Sequence, residues 1–199
     1  FEKAMHAQRQ RAKAASTSID LTNQDIVDEL SNNMDPTNFS GFNQLEDKSR
    51  ILAIVVKGIS QKRAVVGDLV ELILDSTPFY GEGGGQIGDI GVLSRNRSDD
   101  NDLLVQVDSV RRIKEVFVHS GRVKKGSLQT GDIVESNVDC VCRRRAQANH
   151  TATHLLQAAL KNIVNSDIGQ AGSLVNFDRL RFDFNSPRAI TLNELDNLR

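Results

Sequence analysis

The sequence predicts an α+β chain, mostly an antiparallel β-barrel or sandwich, with a helical N-terminal lead-in and a truncated α+β unit after it. Three observations carry this expectation. Residues 1–15 contain neither Gly nor Pro and are rich in Ala, Gln, Lys and Arg, all good helix formers. Between about Phe39 and Val138, short β-branched runs alternate with turns containing Gly and Asp. From Arg143 to Val164 Gly and Pro are again absent, as in a single helix.

In chain order, Phe1, Met5 and Ala12 make a thin apolar stripe on the first helix. Thr22 is placed to cap a second, short helix with Asp25 in its first turn, and Asn32, Asn33 and the Asp35–Pro36 pair end it. The expected strands are Ile51–Val56, Leu69–Leu74 after a Gly67–Asp68 turn, Leu103–Val107, Ile113–His119 and Ile133–Val138. Several short strands at this spacing are the mark of a barrel or a sandwich. The run from Arg95 to Asp102 reads as a polar hairpin tip. Asp139 is an N-cap candidate for the long helix, and strands follow at Ser173–Val175 and Leu180–Phe184. Thr191 and Glu194 form a capping box for a last helix. The division expected is a lead-in over 1–36, a barrel over 37–138 and the partial unit over 139–199.

Composition bounds the function. With 39% apolar and 26% charged residues the 199-residue chain is ordinary globular material. Its longest apolar run, Ile51–Val56, is six residues, far below the roughly 20 of a membrane-spanning helix. No charged-then-apolar leader opens it, so the expected setting is cytoplasmic or organellar and not secreted, and a first residue of Phe suggests a piece of something longer. Cys140 and Cys142 stand too close together to brace a fold, which favours reduced thiols. The net charge of −1 hides segregation. Residues 20–47 are acidic without a Lys or Arg, whereas 111–125 and Arg143–Arg145 are basic, which suits either a docked polyanion or solvated surface charge.

Six of 14 glycines fall between Gly81 and Gly91. No Gly-Lys-Ser/Thr follows them and no helix opens there, which excludes a P-loop and a dinucleotide fingerprint. A tight β corner explains the glycines, and so does a backbone surface held against a nucleic acid or a neighbouring domain. The most chemical feature is His150-Thr151-Ala152-Thr153-His154. Imidazoles at i and i+4 share one helix face and can share a metal ion. Ala152, Leu156, Ala159, Leu160 and Ile163 form the expected packing stripe, which leaves the pair pointing away from it. Thr151 stands where a zinc protease carries glutamate, so protease chemistry is not supported. Cys142 lies eight residues before His150, about 12 Å along a helix, too far to share a metal. Further ligands would come from His6, His119 or sequence beyond Arg199, the last being favoured.

Three segments resemble the alanyl-tRNA synthetase family: Asn149–Leu156, Gln170–Val175 with Leu180–Phe184, and the glycine run after Thr77-Pro78-Phe79-Tyr80. Phe1-Glu2-Lys3-Ala4 is similar to the helix leaving that family's aminoacylation region, so the likeness spans essentially the whole chain. The family usually has Ser where Gly83 stands here. The resemblance implies a β-barrel followed by the N-terminal part of an editing domain. It implies an enzyme that joins alanine to its tRNA with ATP and Mg2+ and hydrolyses mischarged seryl- and glycyl-tRNA. It assigns Zn2+ to His150 and His154 plus a later Cys-x-x-x-His, and places the ATP-binding motifs before Phe1. The partner is then tRNA. Thr153 is expected to position water or sense a serine side chain, and Gln170 to orient the substrate. Gly84, Gly85, Gln86, Arg143, Arg144 and Arg145, with the basic hairpin, are expected to contact tRNA or a neighbouring domain. The alternatives are a free-standing editing hydrolase and a non-catalytic RNA-binding barrel.

Overall fold

Strands whose side chains alternate between two apolar environments need cover on both faces, and this chain supplies it with a barrel inside and a helix outside. The computed structural model describes residues 21–95 and 102–198. The helix expected over 1–15 and the centre of the Arg95–Asp102 tip lie outside the described residues. Helix α1 (Leu21–Asn32) includes Thr22 as its second residue, so Thr22 is not the cap that the sequence suggested, since a cap stands outside the helical residues.

The strands are β1 (Asn38–Phe39), β2 (Glu46–Val56), β3 (Ile59–Gln61), β4 (Arg63–Val65), β5 (Leu69–Leu74), β6 (Ser76–Thr77) and β7 (Gly91–Arg95). They continue with β8 (Leu103–Ile113), β9 (Val116–Lys125), β10 (Ser127–Gln129) and β11 (Ile133–Val138). Six of them close a barrel in the order β2-β5-β9-β8-β7-β11, and β11 pairs back onto β2. Every one of these pairings is antiparallel. Of the sandwich and the barrel, the structure is therefore the barrel.

The apolar pattern merges two strands into one, Ile113–His119. In the structure β8 ends at Ile113, Lys114 turns with φ 54°, and β9 begins at Val116. Strand β7 has no counterpart among the expected strands, because Gly91, Ser94 and Arg95 leave no apolar run.

Ile54, Val56, Leu72, Leu74, Phe79, Val105, Val107 and Val123 belong to the principal core cluster. The alternate residues Ala53, Val55, Ile73 and Val118 belong to a second cluster with Val27, Ile26 and Leu30 of α1. Burial on both faces is why these strands read as continuous apolar runs. His119 sits in the first environment, 1% exposed, with its ring edge-on to Phe79. Its Nδ1 donates to the Leu72 carbonyl at 3.2 Å, and the Thr77 hydroxyl donates to Nε2 at 2.8 Å. Burial pushes its pKa down to about 4, against a lesser upward pull from the Leu72 bond. A neutral ring with both nitrogens engaged inside the barrel wall is not a metal ligand, which removes His119 from the candidates.

Beyond the barrel, helix α2 (Cys140–Ile163) leaves β11 directly. Asp139 caps it, its carboxylate accepting from the backbone N–H groups of Val141 and Cys142, while its own N–H donates to the Ile90 carbonyl at 2.9 Å. A ribbon of β12 (Gln170–Val175) and β13 (Leu180–Phe184) packs on α2, and Thr191 opens helix α3 (Leu192–Asn197) with the expected capping box. Among the described residues no helix is long and apolar enough to cross a membrane.

Candidate functional site

The glycine run is the junction between barrel and α2. Gly83 and Gln86 exchange backbone hydrogen bonds across a tight turn, and Glu82 N–H donates to the Val110 carbonyl of β8 at 2.8 Å. On the other side Val175 N–H donates to the Gly85 carbonyl at 2.8 Å, and Ile87 N–H to the Val175 carbonyl at 3.1 Å. The loop thus ties β8 to β12. Glycine is required where the approach is closest. A Cβ at Gly88 would stand 2.0 Å from the Val110 carbonyl oxygen, and one at Gly85 would stand 2.6 Å from Ser173 Oγ, at φ +83°. Gly85 and Gln86 therefore contact β12 and α2, while Gly84, at φ +61°, faces open space. Gln86 is 6% exposed, and its side chain faces His150 of α2 rather than solvent.

Three residues beyond Gln86, Asp89 forms a buried ion pair with Arg143 at the start of α2. The guanidinium also donates to the carbonyls of Gly41 at 2.9 Å and Pro78 at 2.8 Å, and Asp89 accepts from Tyr80 N–H at 2.7 Å. Arg143 thus joins the barrel to α2. Its donors are spent inside the fold, whereas Arg144 and Arg145 are exposed. In the basic hairpin Arg111 pairs with Glu71 at 2.8 Å and Lys125 with Asp102 at 3.0 Å.

The buried line of α2 is Arg143, Ala146, Thr153 and Leu160; Ala152, Leu156, Ala159 and Ile163 flank it half-buried. This shifts the packing stripe from the expected one and puts His150 at its edge rather than opposite it. Asn149 Nδ2 donates to the Asn176 carbonyl at the turn of the β12–β13 ribbon, 2.7 Å away. His150 Nδ1 lies 2.6 Å from the side-chain oxygen of Gln86. His154 is exposed, and the two imidazoles stand 5.0 Å apart between centroids, tilted by 31°. Helical spacing alone brings the two histidines together, but it gives no sign that Gln86 holds one of them, because that partner is 64 residues away. A polar Asn immediately before the first His was the one available signal for the Asn149 tether.

Thr153 is 6% exposed and its hydroxyl donates to the Asn149 carbonyl at 2.8 Å, so it does not offer its hydrogen to a cleft; only the lone pairs of Oγ1 remain to accept. Gln170 is exposed at the start of β12 and donates to Ser173 Oγ at 2.9 Å rather than to either histidine. Burial, then the Asp139 carboxylate, pushes the Cys142 thiol up, which keeps it protonated and disfavours it as a ligand. Among the described residues no third His, Cys, Asp or Glu joins the histidines in a metal-holding group. Two imidazoles on one helix face, one of them with a ring nitrogen engaged, can supply two of the four donors that a zinc ion takes.

The comparisons with known proteins bear on this arrangement. The family model for class II (A) tRNA synthetases matches residues 1–142, which takes in the barrel and the first turn of α2 but stops short of the histidines. Curated relatives align over the whole chain. An alanine–tRNA ligase of Synechococcus sp. (strain WH7803) is 60% identical over 198 residues, and one of Prochlorococcus marinus (strain MIT 9313) is 58% identical. The chain spans 22% of the length of each.

Proposed function

The chain belongs to the class II (A) tRNA synthetase family, and from that premise we propose that it works within an alanine–tRNA ligase as the barrel and the first half of a zinc-dependent editing site. The aminoacylation of tRNA with alanine, using ATP and Mg2+, belongs on this reading to sequence before Phe1. What this chain contributes is correction. A pocket shaped for alanine cannot strongly reject glycine, which is smaller, or serine, which adds one hydroxyl, so fidelity calls for a second, hydrolytic sieve.

The observation that carries the reading is the pair of imidazoles on α2, 5.0 Å apart, beside a loop that fixes one of them. His150 and His154 would hold Zn2+ with ligands from beyond Arg199, and the bound ion would supply Lewis acidity at the ester carbonyl. The chain's own residues do the rest. Oγ1 of Thr153 retains lone pairs that accept a hydrogen bond from a seryl hydroxyl. The amide of Gln170, exposed at the start of β12, orients the terminal ribose or the aminoacyl group. Arg144 and Arg145, exposed on the first turns of α2, meet tRNA phosphates. The compartment that follows is one of protein synthesis, cytoplasmic or organellar.

The test is a pair of assays on the full-length protein. With His154→Ala, alanine charging of tRNA is expected to persist while hydrolysis of seryl-tRNA falls at least about 100-fold. Hydrolysis at the parental rate would overturn the reading.

A further inference from the structure

We propose that Gln86 is a positioning residue for the metal half-site: its side-chain oxygen, 2.6 Å from His150 Nδ1, fixes the imidazole orientation and selects the tautomer that leaves Nε2 with the lone pair. The inference rests on the zinc reading for its purpose, and on geometry for its content. An amide oxygen only accepts hydrogen bonds, so the nitrogen facing it carries the hydrogen. A neutral imidazole free in water prefers the opposite tautomer, with hydrogen on Nε2, and would have to shift its proton before that nitrogen could bind a metal.

The oxygen is held in place by the chain around it. Gln86 is 6% exposed, its backbone is locked to Gly83 in both directions at 3.0 Å, and it bridges to Val175 of β12. Three residues on, Asp89 anchors Arg143, and Arg143 precedes His150 by two helical turns on α2. The glycine run therefore grips α2 at two points. One grip fixes where the helix starts, and the other fixes how His150 turns. Outer partners of this kind typically change metal affinity about 10- to 100-fold when removed.

Two readouts test the role. The first is the His150 tautomer, read from nitrogen chemical shifts of the full-length protein stripped of metal. The second is the zinc affinity of the full-length protein, measured by competition with a chelator. The parent is expected to show hydrogen on Nδ1. Gln86→Leu is expected to move the ring toward the Nε2–H form and to weaken zinc about 10- to 100-fold. Gln86→Glu, whose carboxylate accepts the same hydrogen, is expected to retain both properties, and it decides the matter if the Leu variant fails to fold. An Nε2–H ring in the parent, unchanged zinc affinity in Gln86→Leu, or loss of the Nδ1–H form in Gln86→Glu would overturn the proposal. A parent without zinc overturns the metal reading instead, and the tautomer still decides the role of Gln86.

Discussion

The guanidinium of Arg143, on the first turn of the long helix, closes on the carboxylate of Asp89 in the glycine run, and both groups are buried, with side chains 7% and 1% exposed. The pair spans 54 residues of sequence and joins the barrel to the helix that carries the two histidines. Its geometry is well satisfied, since the remaining guanidinium donors reach two backbone carbonyls.

Removing one side of such a pair leaves the other charge buried and uncompensated, which costs about 3–5 kcal/mol. Arg143→Leu is expected to lower the unfolding free energy of the chain by that amount in urea. The double variant with Asp89→Leu is expected to recover part of it. A loss below about 1 kcal/mol in the single variant would show that the pair is not the anchor described.

His119 gives stability a pH dependence. Its folded pKa of about 4 lies below the value of 6.5 it has when exposed, so protons bind the unfolded chain preferentially. The stability it contributes is complete above pH 6.5 and drains as the pH falls toward 4, by roughly 3 kcal/mol across that window. Urea unfolding of the parent and of His119→Asn at about pH 7 and about pH 4.5 checks this. The variant is expected to lose less stability on acidification, and equal losses would clear His119 of the effect.

Gly84 and Gly85 share a positive φ but not their surroundings, so the same substitution separates strain from space. Asn accepts the left-handed region. Gly84→Asn points into open space and is expected to be nearly neutral. Gly85→Asn meets Ser173 Oγ at 2.6 Å and the Ser173 carbonyl at 2.8 Å, and is expected to cost about 1–3 kcal/mol and to loosen β12 from the loop. Thermal unfolding measures the contrast, and equal costs would contradict the packing described.

The three consecutive arginines divide by role. Arg144→Glu and Arg145→Glu in the full-length protein are expected to weaken tRNA binding and to shallow its salt dependence by about one unit of slope for each phosphate no longer neutralised. The stability of the fold should barely change, because both side chains are exposed. If tRNA affinity and its salt slope stay at the parental values, the phosphate role is wrong.

Much of the fold was legible where local signals coincide with tertiary need. The run Ile51–Val56 is buried apart from Leu52, Asp139 caps α2, and Thr191 with Glu194 boxes the start of α3. Strand β7 was hidden because pairing with β8 and β11, rather than side-chain composition, makes it a strand. The break at Lys114 lacks the Gly, Asn or Pro that marks most turns. Within the site, the two histidines were legible from helical spacing alone. The partner of Arg143 was hidden, because a triplet of arginines reads as a docking site or a solvated face until Asp89 is seen beneath it. The partner of Gln86 was hidden too, because a loop rich in glycine suits a tight β corner as well as a surface held against another body, and its backbone here is spent on β8 and β12. Both cases share one cause, a partner 54 or 64 residues away in sequence.

The central claim is that His150 and His154 are two ligands of a zinc ion. Its most direct test is the zinc content of the purified full-length protein beside the double variant His150→Ala/His154→Ala. The account predicts zinc in the parent and its loss in the variant while alanine charging persists. Zinc retained at the parental level without these two imidazoles would contradict it.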